Sequence, residues 1–164
     1  ALGLRVMLLS GDGRAAAEGV ASLVGIGPDN VVAEVLPGDK AEVVEGLRAS
    51  GEKVCMVGDG INDTPALATA DIGIAMGAGS DAALEVGQVV IMHDDVRDVA
   101  RAVSLSRATM RKIRQNFAWA LGYNCLLIPL ACLGIIAPEV SGAAMALSSV
   151  SVVSNSLLLK RWRG

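Results

Sequence analysis

The run GDGINDTPALATADIGIAMG, Gly58 to Gly77, governs how the rest of the chain is read. It follows directly on the apolar residues Val54–Val57, so its first six residues form a glycine-rich loop at the carboxyl end of a strand. Open α/β sheets bind their ligands at that end. Asp59 and Asp63 offer hard carboxylate oxygens suited to Mg²⁺, which binds through one or two carboxylates plus phosphate and keeps several waters. Asn62 can hydrogen-bond a neighbouring group without adding charge, and Gly58 and Gly60 let the backbone turn sharply and approach a ligand. The same residues also read as an ordinary polar turn whose side chains cap the helix after Pro65.

On either side of this loop, residues 1–95 alternate apolar runs with helical stretches, the pattern of a parallel α/β sheet. Strands are predicted over Arg5–Ser10, Val31–Val35, Lys53–Val57, Ile72–Ala75 and Val89–Met92, apolar enough to be covered on both faces. Helices are predicted over Arg14–Val24 and Lys40–Ser50, each stopped by the glycine that follows, with shorter ones over Pro65–Thr69 and Asp81–Glu85. Two more strand ends carry candidate groups. Ser10-Gly11-Asp12 opens a helix, so its hydroxyl and backbone N–H groups could face a phosphate, or could simply cap that helix. Pro37-Gly38-Asp39-Lys40 sets a lysine at a strand-to-helix junction, a solvated charge unless a phosphate lies beside it. With one there, Lys40 would offset charge building on the transferring group. A hydroxyl, a lysine and paired carboxylates at three strand ends form a coherent phosphoryl-transfer site.

From Val96 the period changes to that of an amphipathic helix, with arginines between the apolar positions. Two windows follow that lack charge: the 24 residues between Arg114 and Glu139, and the 20 between Glu139 and Lys160. A bilayer core needs about 20 apolar residues per helix, so both windows qualify. Residues 1–95 hold 15 acidic and 5 basic side chains, whereas residues 96–164 hold 2 acidic and 9 basic. Those basic residues flank the windows on their outer sides, which predicts a hairpin with both flanks in the cytoplasm. They lack interleaved aromatics and border hydrocarbon-length segments, so no nucleic-acid partner is expected. The predicted organisation is a domain at 1–95, a stalk helix at 96–116, membrane helices at 117–137 and 143–159, and a basic cytoplasmic tail at 160–164. Cys55 is expected in a buried strand, Cys125 and Cys132 in packing roles, and His93 on the surface. The start at Ala1 without an initiator Met reads as a fragment or processed product.

Ser10-Gly11-Asp12, Pro37-Gly38-Asp39-Lys40 and the Gly58–Gly77 run together resemble the cytoplasmic phosphorylation domain of P-type ATPases, which belong to the haloacid-dehalogenase-like superfamily. The resemblance extends over essentially the whole chain. It implies an α/β fold: part of a haloacid-dehalogenase-like, Rossmann-like phosphorylation domain followed by a two-helix transmembrane hairpin. It also implies roles. Ser10 matches the hydroxyl that contacts the phosphoryl group, usually threonine. Lys40 matches the phosphate-stabilising lysine, Asn62 the amide that helps hold the phosphate, and Asp59 and Asp63 the Mg²⁺ carboxylates. Thr64 stands where alanine is common. The family's nucleophilic aspartate lies in a DKTGT-type motif, and these 164 residues contain none. ATP hydrolysis through an aspartyl phosphate, with ATP and Mg²⁺ as cofactors, is therefore expected of an intact pump and not of this stretch alone.

The apolar windows bear on the cargo. Tyr123-Asn124 lies in the first, and Met145 and Ser149, four apart on one helix face, lie in the second. A thioether beside hydroxyl and amide groups suits a soft monovalent ion, though small and polar residues also serve as helix glue in membranes. Tyr123-Asn124 followed by AMALSSVSVVSNSLLL (Ala144–Leu159) is similar to the last two helices of copper(I)-exporting pumps. That resemblance implies Tyr123, Asn124, Met145 and Ser149 as ligands of transported Cu⁺, or of Ag⁺, which shares its chemistry. The implied partners are the remainder of the pump, the bilayer and a copper chaperone. Two other readings compete: a membrane-tethered haloacid-dehalogenase-type phosphatase, and a short regulatory partner of a full pump.

Overall fold

In a computed structural model the chain is described over residues 2–59, 61–77, 85–93 and 95–161. It divides into two compact units, residues 1–99 and 100–164. The first holds strands β1 (Leu8–Leu9), β2 (Val31–Val32), β3 (Cys55–Gly58), β4 (Ile72–Met76) and β5 (Val89–Ile91), with helices α1 (Arg14–Leu23), α2 (Asp39–Ala49) and α3 (Thr64–Thr69). All pairing is parallel, as the strand–helix alternation predicts. The strands form two sheets rather than one: β1 pairs with β2, and β3, β4 and β5 pair in that order.

The expected strands shorten where a neighbour is lacking. Arg5–Ser10 contributes only Leu8–Leu9 to a ladder, and Val6 is 59% exposed. The Lys53–Val57 strand starts at Cys55, whose thiol is exposed rather than buried. Both corrections have one physical cause. β1 and β3 each have a single paired neighbour, and a cavity of about 330 Å³ lies between them, lined by Met7, Leu9, Val54, Cys55 and Met56 among others. The apolar strands are as expected, but one cover is not in place. The expected helix Asp81–Glu85 falls outside the described residues except for its last position, and Gly60 falls outside them as well.

The core explains how the helices are held. Ala17 and Ala21 of α1 pack with Val31, and Val44 of α2 packs with Ala66 and Ala70 at the two ends of α3. Leu67 and Ala75 close a third cluster with Met56, Val86 and Val90. Gly25 and Gly51 take positive φ just after α1 and α2, the left-handed stop that their positions predict.

The second unit consists mainly of two helices. α4 (Arg97–Cys132) begins beside Asp95, whose Oδ1 accepts the Arg97 backbone N–H at 2.9 Å. α5 (Pro138–Leu157) begins with a proline in its first turn, where a missing N–H costs nothing. α4 stops at Cys132, short of the expected boundary at 137, because Gly134 (φ 69) turns the chain out of the helix and Pro138 starts the next. Among the described residues one helical segment, Gly142–Lys160, is long and apolar enough to cross a membrane. The first of the two expected spans lies in the 36-residue α4, whose uncharged half is less apolar, with Gln115, Asn116, Asn124 and Pro129 within it.

Candidate phosphoryl-transfer site

β3 delivers the chain into Gly58, the tight turn Ile61–Asp63 and then α3. Gly58 is glycine for a steric reason. A Cβ built there would come within 2.7 Å of Asp63, so the loop folds back on its own strand end only without a side chain. Asp63 is thereby buried to 8% exposure, and it is the buried charged residue among those described.

Its partner arrives from α2. Lys40 and Val44 lie one helical turn apart on a common face. Val44 is packed against Ala66 and Ala70, so the same face carries Lys40 towards the start of α3. There its Nζ donates to Asp63 Oδ1 at 2.6 Å, with both side chains mostly shielded. Removing one member of such a pair strands a buried charge, at a cost of about 3–5 kcal/mol. The capping alternative for the loop does not describe this geometry. Asp63 occupies the N-cap position of α3 but makes no side-chain capping bond, and its carboxylate meets Lys40 instead.

Asp59 and Asn62 are exposed. The Thr64 hydroxyl is buried without a hydrogen-bond partner, an orphaned oxygen beside Asp63. At the end of β1, the Ser10 hydroxyl donates to Asp12 Oδ2 at 3.0 Å and accepts the Asp12 N–H at 3.1 Å. The N-cap of α1 is Gly13, with no side-chain cap, so neither Ser10 nor Asp12 caps that helix. Gly11 is exposed, and a Cβ there would meet the Val35 carbonyl at 3.2 Å. The structure therefore joins Lys40 to Asp63, leaves Asp59 and Asn62 open to solvent, and turns Ser10 onto Asp12.

No group of three His, Cys, Asp or Glu side chains gathers among the described residues, which argues against a closed all-protein metal cage. One exposed and one buried carboxylate fit a Mg²⁺ ion that takes its remaining oxygens from phosphate and water. Below the site, Asp71 Oδ2 accepts the Val54 N–H at 3.0 Å and Oδ1 accepts from Lys53 at 3.0 Å. These two bonds hold its carboxyl below the ordinary carboxylate value. Sequence reading missed Gly73, where a Cβ would meet the Leu67 carbonyl at 2.7 Å; the signal was a glycine inside an apolar strand.

In the second unit Tyr123 is half-buried, while Asn124, Met145 and Ser149 are exposed. The polar groups of two of them turn back on their own helices: Asn124 Nδ2 donates to the Ala120 carbonyl at 3.0 Å, and Ser149 Oγ to the Met145 carbonyl at 3.2 Å. His93 stands on the surface, 84% exposed, 3.9 Å from Asp98.

Models of haloacid dehalogenase-like hydrolases match residues 1–71 and 40–103, which together span the first unit. Over 98% of its length the chain is 52% identical to a copper-exporting P-type ATPase of Bacillus subtilis and to cation-transporting P-type ATPase B of Mycobacterium tuberculosis. The chain belongs to the P-type ATPases. A solved zinc-transporting PIB-type ATPase is 37% identical and superposes over 96% of the chain with a TM-score of 0.85, while the chain covers 26% of that protein. This P-type ATPase chain spans about a fifth of the length of the curated relatives it matches. Its α/β unit is haloacid-dehalogenase-like.

Proposed function

We propose that the chain is the C-terminal part of an ATP-driven Cu⁺ or Ag⁺ export pump that works through an aspartyl-phosphate intermediate. The observation that carries this reading is the buried Lys40–Asp63 pair at 2.6 Å in the loop that also bears the exposed Asp59. A phosphoryl group bound there meets a cation held in place before it arrives, so little reorganisation is needed as charge develops. Asp59 and Asp63 would hold Mg²⁺, which when bound offsets phosphate charge. Lys40 stabilises the transferring group, Asn62 donates to a phosphate oxygen, and Ser10 exchanges its bond to Asp12 for one to the phosphoryl group. Gly58 lets the loop fold back close to its own strand end, which these contacts need.

The phosphorylated aspartate comes from an upstream segment, since no DKTGT motif occurs in these residues. The cavity between the single-paired strands β1 and β3 supports this, because an added strand there would pair with both and join the two sheets. The partner implied is the remainder of the pump, and this stretch alone neither hydrolyses ATP nor transports. The apolar segments before and after Glu139 span the bilayer twice, with the phosphorylation domain and the basic end in the cytoplasm. Tyr123, Asn124, Met145 and Ser149 hold the transported ion. A thioether with neutral hydroxyl and amide oxygens, and no carboxylate beside them in either helix, favours a soft monovalent ion over Zn²⁺. A copper chaperone as the donor of that ion follows from the same reading.

The test is phosphoenzyme formation from ATP by the intact pump. Asp59→Ala and Asp63→Ala should each abolish the Mg²⁺-dependent phosphoenzyme, and a normal level in either variant would remove that residue from the site.

A further inference from the structure

The base of the helical hairpin carries a polar cluster that the site above does not use. Lys112 Nζ donates to Asn155 Oδ1 at 2.8 Å. Asn155 Nδ2 donates to Asn116 Oδ1 at 2.8 Å and, more weakly, to Gln115 Oε1 at 3.4 Å. Asn116 Nδ2 in turn donates to Ser156 Oγ at 2.8 Å, and Ser156 Oγ donates a hydrogen bond to the Val152 carbonyl at 2.8 Å. Each donor in the chain has an acceptor of the right kind, so the network has one consistent orientation. Three residues of α4 are thereby stitched to two neighbours on α5.

The cluster fixes more than proximity. With Asn116 opposite Asn155, antiparallel helices bring Ala120 opposite Ser151, Tyr123 opposite Ser148 and Leu127 opposite Ala144. All six of these residues are half-buried, whereas the intervening positions 121–122, 124–126, 145–147 and 149–150 are exposed. Burial thus shows that these two faces meet, and the hydrogen bonds of Asn155 and Asn116 fix the register between them. In that register Asn124 stands level with Leu147, between Met145 and Ser149. This level is eight residues, or about 12 Å, above Asn116. A slip of one turn, about 5.4 Å, would carry Tyr123-Asn124 past the Met145–Ser149 pair.

We infer that Lys112, Asn116 and Asn155 are positioning residues: a polar clasp that sets the register of α4 against α5 and so aligns the two halves of the transported-ion site. The inference rests on the proposed role of Tyr123, Asn124, Met145 and Ser149, none of which belongs to the clasp. Lipid competes with apolar helix surfaces for contact in a bilayer, whereas an interhelical hydrogen bond adds a preference for the register that satisfies it.

The experiment measures phosphoenzyme from ATP against free Cu⁺ in the reconstituted intact pump, for Asn155→Leu, Lys112→Met and Lys112→Arg. The Cu⁺ concentration for half-maximal phosphoenzyme should rise about tenfold in Asn155→Leu and Lys112→Met, the loss expected for one interhelical hydrogen bond. Lys112→Arg, which keeps the donor, should stay near wild type. Phosphorylation by inorganic phosphate in the absence of Cu⁺ should be unchanged in all three, which separates register from folding. Unaltered Cu⁺ dependence in both Asn155→Leu and Lys112→Met overturns the clasp. Parallel loss of both phosphorylation reactions also overturns it, in favour of a purely structural role. A wild-type pump with no Cu⁺-dependent phosphoenzyme removes the copper reading itself and the inference with it.

Discussion

Gly58 and Asp63 show how a single side chain can govern this site. The strand end and the turn approach so closely that a methyl group at position 58 would press on the Asp63 carboxylate. Gly58→Ala should therefore destabilise the fold by about 1–3 kcal/mol, as overpacking does, and lower phosphoenzyme in the same protein. A melting curve beside a phosphorylation assay checks both, and a variant with wild-type melting and phosphoenzyme would show that the loop relaxes freely. Lys40→Met keeps the aliphatic stem but leaves Asp63 buried without its cation. The expected cost is about 3–5 kcal/mol of stability, and a double variant that also replaces Asp63 with Asn should regain part of it.

Among the secondary-structure elements, the junction of β3 and β4 depends on a carboxylate. Asp71 gains its bonds to the Val54 N–H and Lys53 only in the folded chain, and they lower its pKa. A group with a depressed folded-state pKa stabilises the protein above its unfolded value and loses that contribution as pH falls through the folded value. Wild-type stability should thus decline from about pH 4 downwards, near the ordinary aspartate value. Asp71→Asn should be less stable at neutral pH and show a shallower decline in acid, measured by thermal melting across that range. The end of α4 makes a second case. Gly134 holds φ 69 with open space around it, so Gly134→Ala is strained by backbone conformation and not by crowding. The expected loss is roughly 1–2 kcal/mol, read as a lower melting temperature of the detergent-solubilised protein.

For the molecule as a whole, the two-sheet arrangement has a consequence for assembly. β1 and β3 border a cavity that an additional strand would fill, and β3 leads into the loop bearing Asp59 and Asp63. An upstream polypeptide carrying the missing aspartate motif, expressed separately and mixed with this chain, should restore a Mg²⁺-dependent phosphoenzyme that neither piece forms alone. Its absence under conditions where the two pieces co-purify would count against the slot. Met145→Ala in the intact pump should weaken Cu⁺-stimulated turnover, whereas unchanged copper dependence would return Met145 to a packing role.

The parallel α/β pattern, the glycine-rich loop and the helix stops were legible in the residues, because each depends on neighbours within a few positions. Gly25 and Gly51 end their helices by backbone geometry alone, and an apolar strand running into Gly58-Asp59 announces a tight turn at the strand's end. Three features were not legible. The Lys40–Asp63 pair joins residues 23 apart through the packing of Val44 on α3, which no local pattern encodes. The division into two sheets depends on which strands find partners, a property of the assembled fold rather than of strand propensity. The register of α4 against α5 is carried by Asn155 meeting residues about 40 positions earlier, in a helix of which Met145 and Ser149 alone drew a reading as site residues from the sequence. Periodicity reports which face of an element is buried; the element that covers that face, and at what register, is decided by tertiary contact.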